Sequence, residues 1–356
     1  MSFSEQSPDT FQKMPPLLRR ITGCLVGVAI GDAFGMPWEL CSYDEILELT
    51  EYRGVTGLQD IPVGKTRKIP DLRKVRLGET TDDWMLTRAV AESLIRCRGL
   101  DLYDQALVHV AAYEQSTIGW GGTTKDAIAE LKLWFDSRGV HGRSPLEPAL
   151  FTKETRGKGN GVLMKIAPLA CMLSCQDAPI ALIHSPQFPD MLNLERMTHR
   201  DTNALGIIGF LMLCMGPSFA SRMKPMPEAL LTDFKILALT HVGTLFEQET
   251  SEQEEFPSAE SVRRTFGTSS LASESGPFAV ATMLRHQQDF RGGILEAINA
   301  GGDTDTNASI VGAMIGAQVG IEGIPPEWIE AVPDAQVAID VAARLYKTFV
   351  PENVQK

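Results

Sequence analysis

The sequence has no C-x-x-C pair, no long uninterrupted apolar run, no convincing period-two alternation and a shortage of basic residues. Each absence closes off a class. The six cysteines (Cys24, Cys41, Cys97, Cys171, Cys175 and Cys214) sit mostly in apolar stretches, where free thiols behave as small core hydrophobes. That usage points to a reducing compartment. The longest apolar stretches, residues 206–215 and 308–320, fall short of the ~18–20 residues a membrane span needs. Ile21-Thr22-Gly23-Cys24 has the form of a lipoprotein cleavage box, but Arg19 and Arg20 stand where its apolar stretch belongs. A cytoplasmic protein with no membrane partner is expected. With 33 Lys+Arg against 45 Asp+Glu, the net charge is −12, a poor basis for neutralising nucleic-acid phosphates.

What is present is an ordinary globular composition, 44% apolar and 22% charged over 356 residues. A chain of this length buries roughly 75% of its unfolded surface, so it folds without disulfide or metal staples. Helical periodicity runs through residues 17–33, 82–97, 103–115, 124–135, 163–173, 202–214, 227–246, 277–286, 294–300, 305–320 and 335–349. No valine- or isoleucine-rich run is bounded by hairpin turns. These patterns predict an all-α, single-domain helical bundle over residues 16–350, preceded by a flexible arm at 1–15. Residues 54–78, 139–161 and 251–275 read as loops, the last a candidate for disorder.

Small residues recur every four positions in two places: Gly23, Gly27, Gly31 and Gly35, then Ala308, Gly312, Gly316 and Gly320. Glycine costs a helix interior about 1 kcal/mol relative to alanine, which close backbone approach can offset. Both helices are therefore expected deep in the bundle and tightly packed.

Two lookalikes fail. Gly64-Lys65-Thr66 ends like a phosphate-binding loop, but its first glycine is replaced by Gln59 and Pro62 lies inside it. Asp303-Thr304-Asp305 opens like a calcium loop, but its sixth position is Ala308 and its twelfth Met314. Two other constellations carry more weight. Glu79-Thr80-Thr81-Asp82-Asp83 and Gly301-Gly302-Asp303-Thr304-Asp305-Thr306-Asn307 each lead into a long helix. Taken alone, the first is explained by a Thr80 or Thr81 cap with acids suited to the helix dipole. Capping does not account for the two carboxylates, two threonines and glycine pair of the second, and the two together are more telling. Four converging carboxylates repel unless protons or cations intervene, and their oxygens suit Mg²⁺, Mn²⁺ or Ca²⁺ better than zinc.

Ordered blocks then match a known family. The run Gly23–Gly35 with Glu39, Thr81-Asp82-Asp83, Gly159-Asn160-Gly161-Val162-Leu163-Met164-Lys165, Thr198-His199, Gly301–Asn307, and Ile324-Pro325 with Trp328 follow one another over residues 17–330. In this the chain resembles the ADP-ribosylglycohydrolases. The resemblance implies two Mg²⁺ ions (Mn²⁺ as a substitute) held by Thr81, Asp82, Asp83, Asp303, Asp305 and Thr306. It implies a catalytic set of Glu39, Asp82, Asp83 and Asp303, with Glu39 acting on the metal or on proton transfers. It also implies cleavage at C1 of the distal ribose, freeing ADP-ribose from a protein or small-molecule conjugate. Nucleic acid enters only as an ADP-ribosylated substrate, and a monomer is expected.

An acidic chain must still hold a diphosphate. Glycine-rich helix starts do so through backbone N–H groups, which nominates Gly121, Gly122, Asn160, Gly161, Val162, Leu163, Met164 and Gly302. Lys158 and Lys165 are possible assistants, His199 a pocket residue, and Trp120 either a stacking surface or core. Two departures bear on substrate choice. Trp84 follows the paired aspartates where threonine is common, and Val162 replaces a small hydroxyl residue. Two rival readings remain open: a non-catalytic ADP-ribose-binding member, and a hydrolase of another nucleotide or glycoside.

Overall fold

A computed structural model of the chain describes residues 11, 13–138, 158–175, 190, 193–194, 197–198 and 258–351. In chain order its helices are α1 Pro16–Gly35, α2 Tyr43–Leu49, α3 Asp82–Cys97, α4 Leu102–Gln115, α5 Gly122–Arg138 and α6 Ala167–Ser174. There follow α7 Ala259–Phe266, α8 Ala272–Arg285, α9 Phe290–Asn299, α10 Thr304–Val319, α11 Pro326–Ala331 and α12 Pro333–Phe349. Among the described residues there is no strand, only isolated bridges pairing Ser42 with Gly301 and Gly159 with Leu271. The fold is all-α and single-domain.

A helix that is apolar all round belongs in an interior, and α1 is one: Ile21 through Gly35 are all buried. Its partner is α10, buried from Thr304 through Ala317. The two run antiparallel with their backbones in contact along the small-residue ridges. A methyl built on Gly23 would lie 2.2 Å from the Gly316 carbonyl oxygen, and one on Gly27 2.0 Å from that of Gly312. Gly31 meets Ala308 and Gly35 meets Asp305 in the same way. The expected tight pair is thus this one, and it sets the C-terminus of α1 against the N-terminus of α10. Helices α8 and α9 pack on α10, while α12 packs on α1 and α3.

The stretch Pro16–Trp38 is long and apolar enough to cross a membrane, which the sequence reading missed because Arg19, Arg20 and Asp32 break up its apolar run. It is the buried centre of the bundle. Helix α3 coincides with the expected 82–97, and three short helices were not expected. Ser42 and Glu45 form a capping box that starts α2. Ser258 caps α7 and Pro326 opens α11. Helix α7 and the start of α8 fall inside the loop expected at 251–275, a correction for residues 259–266 and 272–275. Phe11, within the expected arm, is buried in the core. The helices expected at 202–214 and 227–246 lie outside the described residues, as do residues 139–157 of one expected loop and 251–257 of another.

Candidate metal centre

The antiparallel pair places two acidic segments at one end. The first begins with Asp32, in the last turns of α1 and fully buried. Its carboxylate accepts the Thr81 N–H at 2.8 Å, the Trp84 N–H at 3.0 Å and the Thr81 hydroxyl at 2.7 Å. Thr81 is the residue before α3, yet its own side chain makes no capping bond. Asp32 performs that service from another helix, satisfying amides that a helix start leaves open. The Thr81 hydroxyl proton goes to Asp32, which leaves the oxygen's lone pairs to the centre.

Glu39 follows the 3₁₀ turn Met36–Trp38. The next residue, Leu40, has φ +63°, a left-handed conformation unfavourable for leucine. Two backbone bonds hold it there: Leu40 N–H to the Gly302 oxygen and Gly302 N–H to the Cys41 oxygen, both 2.8 Å. Gly301 and Gly302 take φ +74° and +84°, and a Cβ on Gly302 would lie 2.3 Å from the Thr268 oxygen. Glycine is required there. This crossing fixes Glu39 beside Asp303.

Six acidic residues therefore share one end of the bundle. Oxygens of Asp32, Asp83 and Asp305 lie within 4.8 Å of one another, and so do oxygens of Glu39, Asp303 and Asp305. The two groups share Asp305. Asp82 belongs to neither but is buried beside them; Gly119, at φ +85°, approaches so closely that a Cβ would sit 2.0 Å from Asp82 Oδ1. Thr306 Oγ1 lies 3.5 Å from Asp83 Oδ2. Thr304 is committed elsewhere, donating to the Gly35 oxygen at 2.8 Å.

Burial and mutual repulsion govern the electrostatics. Asp82, Asp83 and Asp305 are pushed well above the usual carboxylate range, first by burial and then by neighbouring carboxylates. Burial outweighs the amide and hydroxyl donors on Asp32, whose pKa is raised to about 6. That of Glu39 is raised to about 9 by burial, then by Asp303 and Asp82. Asp83 Oδ1 and Glu39 Oε2 are buried with no hydrogen-bond partner. Orphaned oxygens in an all-oxygen set are what a hard divalent cation satisfies. The residues fit such an ion.

Asn160 joins this centre through its side chain. Its Nδ2 donates to Asp303 Oδ2 and to Ser275 Oγ, each at 2.9 Å. Gly161 is half-buried beside it, whereas Val162, Leu163 and Met164 have their side chains in the core. Trp120 is core as well, edge-on to Tyr113 at 5.7 Å, while Gly121 and Gly122 are exposed at the start of α5. Trp84 packs inward at 2% exposure. His199 lies outside the described residues.

Two residues were misjudged from sequence. Asp32 is not among the candidate residues read from the sequence, where its sole signal is an acid inside an apolar helix. Lys165 was read as a phosphate assistant or a solvated lysine. It is buried, with Nζ 2.8 Å from both His109 Nε2 and Thr198 Oγ1. His109 Nδ1 lies 2.7 Å from the Gln105 oxygen, so Nδ1 donates and Nε2 accepts from the ammonium. Burial and the Lys165 charge push the His109 pKa well down.

Comparison with known proteins decides the family. A profile for ADP-ribosylglycohydrolase matches residues 13–354. The chain belongs to the ADP-ribosylglycohydrolase family. It is 25% identical to ADP-ribosylhydrolase ARH3 of Gallus gallus over 93% of each chain. Against ADP-ribosylarginine hydrolase Tri1 of Pseudomonas putida it is 23% identical, covering 92% of this chain and 78% of that one. A solved structure titled "ADP-ribosylglycohydrolase-related protein complex" superposes with a TM-score of 0.63 at 24% identity, covering 94% and 99% of the two chains, and shares the fold. Membership makes the chain a hydrolase, and its acidic cluster is able to bind metal.

Proposed function

We propose that the protein is a dinuclear, Mg²⁺-dependent ADP-ribosyl hydrolase that frees ADP-ribose from a modified protein or a small-molecule conjugate. One observation carries the reading: two carboxylate groups overlap at Asp305, with Asp83 Oδ1 and Glu39 Oε2 left without partners. Thr81, Asp82, Asp83, Asp303, Asp305 and Thr306 would hold the ions, and Asp32 joins them from its place beside Asp83 and Asp305. When bound, such ions orient ribose hydroxyls and lower the pKa of water.

The chain's own residues account for the rest. Hydrolysis breaks the bond from C1 of the distal ribose to the acceptor atom, joins a water oxygen to C1 and delivers a proton to the acceptor. Positive charge builds at C1 on the way, and the carboxylate cluster offsets it. Glu39 holds or passes the moving proton at Oε2, a position general acid–base chemistry favours in a raised-pKa carboxyl. Asn160 keeps the Asp303 carboxylate oriented. Backbone N–H groups of the glycine-rich segments 119–122 and 159–161 hold the diphosphate, so no arginine cluster is required. The enzyme would work as a monomer in the cytoplasm, in keeping with the free thiols of Cys24, Cys41 and Cys171.

The test is a panel of ADP-ribosyl-arginine, ADP-ribosyl-serine, O-acetyl-ADP-ribose and ADP-ribosylated nucleic acid, each with and without Mg²⁺. Release of ADP-ribose in Mg²⁺ alone, abolished in Asp303→Ala, is expected. Full activity in excess chelator or in Asp303→Ala would overturn the metal assignment, and ADP-ribose binding without turnover would identify a binding protein instead.

A further inference from the structure

Beside the carboxylate centre, a cavity of about 650 Å³ opens between α3, α4 and the segment that leads into Thr81. Thr80, Thr81, Trp84, Arg88, Val108 and Ile118 are among its walls. Its volume falls within the ~300–1,000 Å³ of small-molecule sites. Thr81 and Ile118 are the contact with the metal centre: Thr81 is bonded to Asp32, and Ile118 precedes the glycine that lies on Asp82.

The charged groups of the wall are already engaged, with one exception. Lys74 pairs with Asp71 at 3.2 Å, Glu79 with Arg76 at 2.6 Å, and Glu92 with Arg344 at 2.5 Å. Asp334 accepts the Thr80 hydroxyl at 2.6 Å. Arg88 has no ion pair and no hydrogen bond among the described residues. Met85, Val108, Ala112 and Ile118 supply apolar wall beside Arg88.

We propose that this cavity is a second ligand site, for a small molecule that joins an anionic group to an apolar body. The guanidinium of Arg88 is a planar fork suited to two oxygens of a carboxylate or a phosphate. The apolar residues take the body of the molecule. Wall groups already neutralised by Asp71, Arg76 and Arg344 do not compete for it. Because the wall includes Thr81, an occupant rests against the segment that starts α3 and carries Asp82 and Asp83.

Calorimetric titration of the full chain with phenyl phosphate, and separately with benzoate, tests this. The tighter of the two identifies the anion as phosphate or carboxylate. One site per chain is expected, with affinity reduced ~10-fold or more in Arg88→Glu, as loss of a charge-assisted pair implies. Arg88→Gln, which keeps donors without charge, should fall between. Melting temperature should be unchanged in both variants because Arg88 is exposed, and saturating ADP-ribose should leave the probe bound. The proposal is overturned if neither probe binds, if both variants bind within about twofold of the parent, or if ADP-ribose displaces the probe.

Discussion

Asp32 stands 49 residues before Thr81, and its carboxylate takes both the backbone N–H and the hydroxyl of that residue. One side chain thereby starts α3, fixes the Thr81 hydroxyl and contributes to the acidic cluster. Capping is worth about 1 kcal/mol, and leaving the buried Thr81 hydroxyl unpartnered costs about 1–3 kcal/mol more. Asp32→Ala should therefore melt several degrees lower, with or without Mg²⁺. Asp32→Asn keeps an acceptor and should recover much of the stability, but not the gain in melting temperature on adding Mg²⁺. Equal melting of Asp32→Ala and the parent would contradict the assignment.

Asn160 holds Asp303 rather than a metal, so its loss should appear as a weakened ion, not as a lost fold. Asn160→Ala is expected to need ~10–100-fold more Mg²⁺ for half-maximal stabilisation, the usual scale for a residue that orients a ligand. Ser275→Ala should show a smaller effect of the same sign, because Ser275 Oγ only steadies the Asn160 amide. Thermal shift against Mg²⁺ concentration measures both.

The raised carboxyls make stability depend on pH in opposite ways with and without metal. A group whose folded pKa exceeds its unfolded value contributes stability that is complete below the unfolded pKa, near 4 here, and is lost as pH rises through the folded one. For Asp32 and Glu39 those folded values are about 6 and about 9. Chelated protein should thus lose stability steadily as pH rises from 5 to 9. Metal binding requires deprotonated ligands, so the stabilisation by Mg²⁺ should grow over the same range. Melting curves at several pH values, in chelator and in Mg²⁺, check the crossing; parallel curves would refute it.

Backbone contact between α1 and α10 leaves no room for a methyl. Gly27→Ala, with its Cβ 2.0 Å from the Gly312 oxygen, should cost about 3 kcal/mol or more or prevent folding. Gly122→Ala meets nothing within 4 Å and should be neutral or slightly stabilising. Denaturant unfolding of the two variants separates a steric cause from loss of glycine as such.

Much of this was legible because the signals were local. Small residues every four positions announced the α1–α10 pair, and clustered acids at two helix starts announced the centre. What escaped depends on partners distant in sequence. Nothing in the apolar run around Asp32 points to Thr81, and nothing near Lys165 points to His109, 56 residues earlier. Short helices such as α2 and α7 escaped because seven or eight residues carry too little periodicity to register against their polar surroundings. Trp120 resolved as core because Tyr113 meets it, a contact across the turn between α4 and α5.

The glycine ladder has a consequence beyond stability. Helices α1 and α10 end their contact at Gly35 and Asp305, where Asp32, Glu39, Asp303 and Asp305 converge. A helix advances about 1.5 Å per residue, and a shift of that size would change which cation the oxygens could grip. The ladder permits no such sliding, since each rung is backbone against backbone. It works as a gauge block: the spacing of the acidic oxygens is set along the length of two helices, by glycines that carry no side chain of their own.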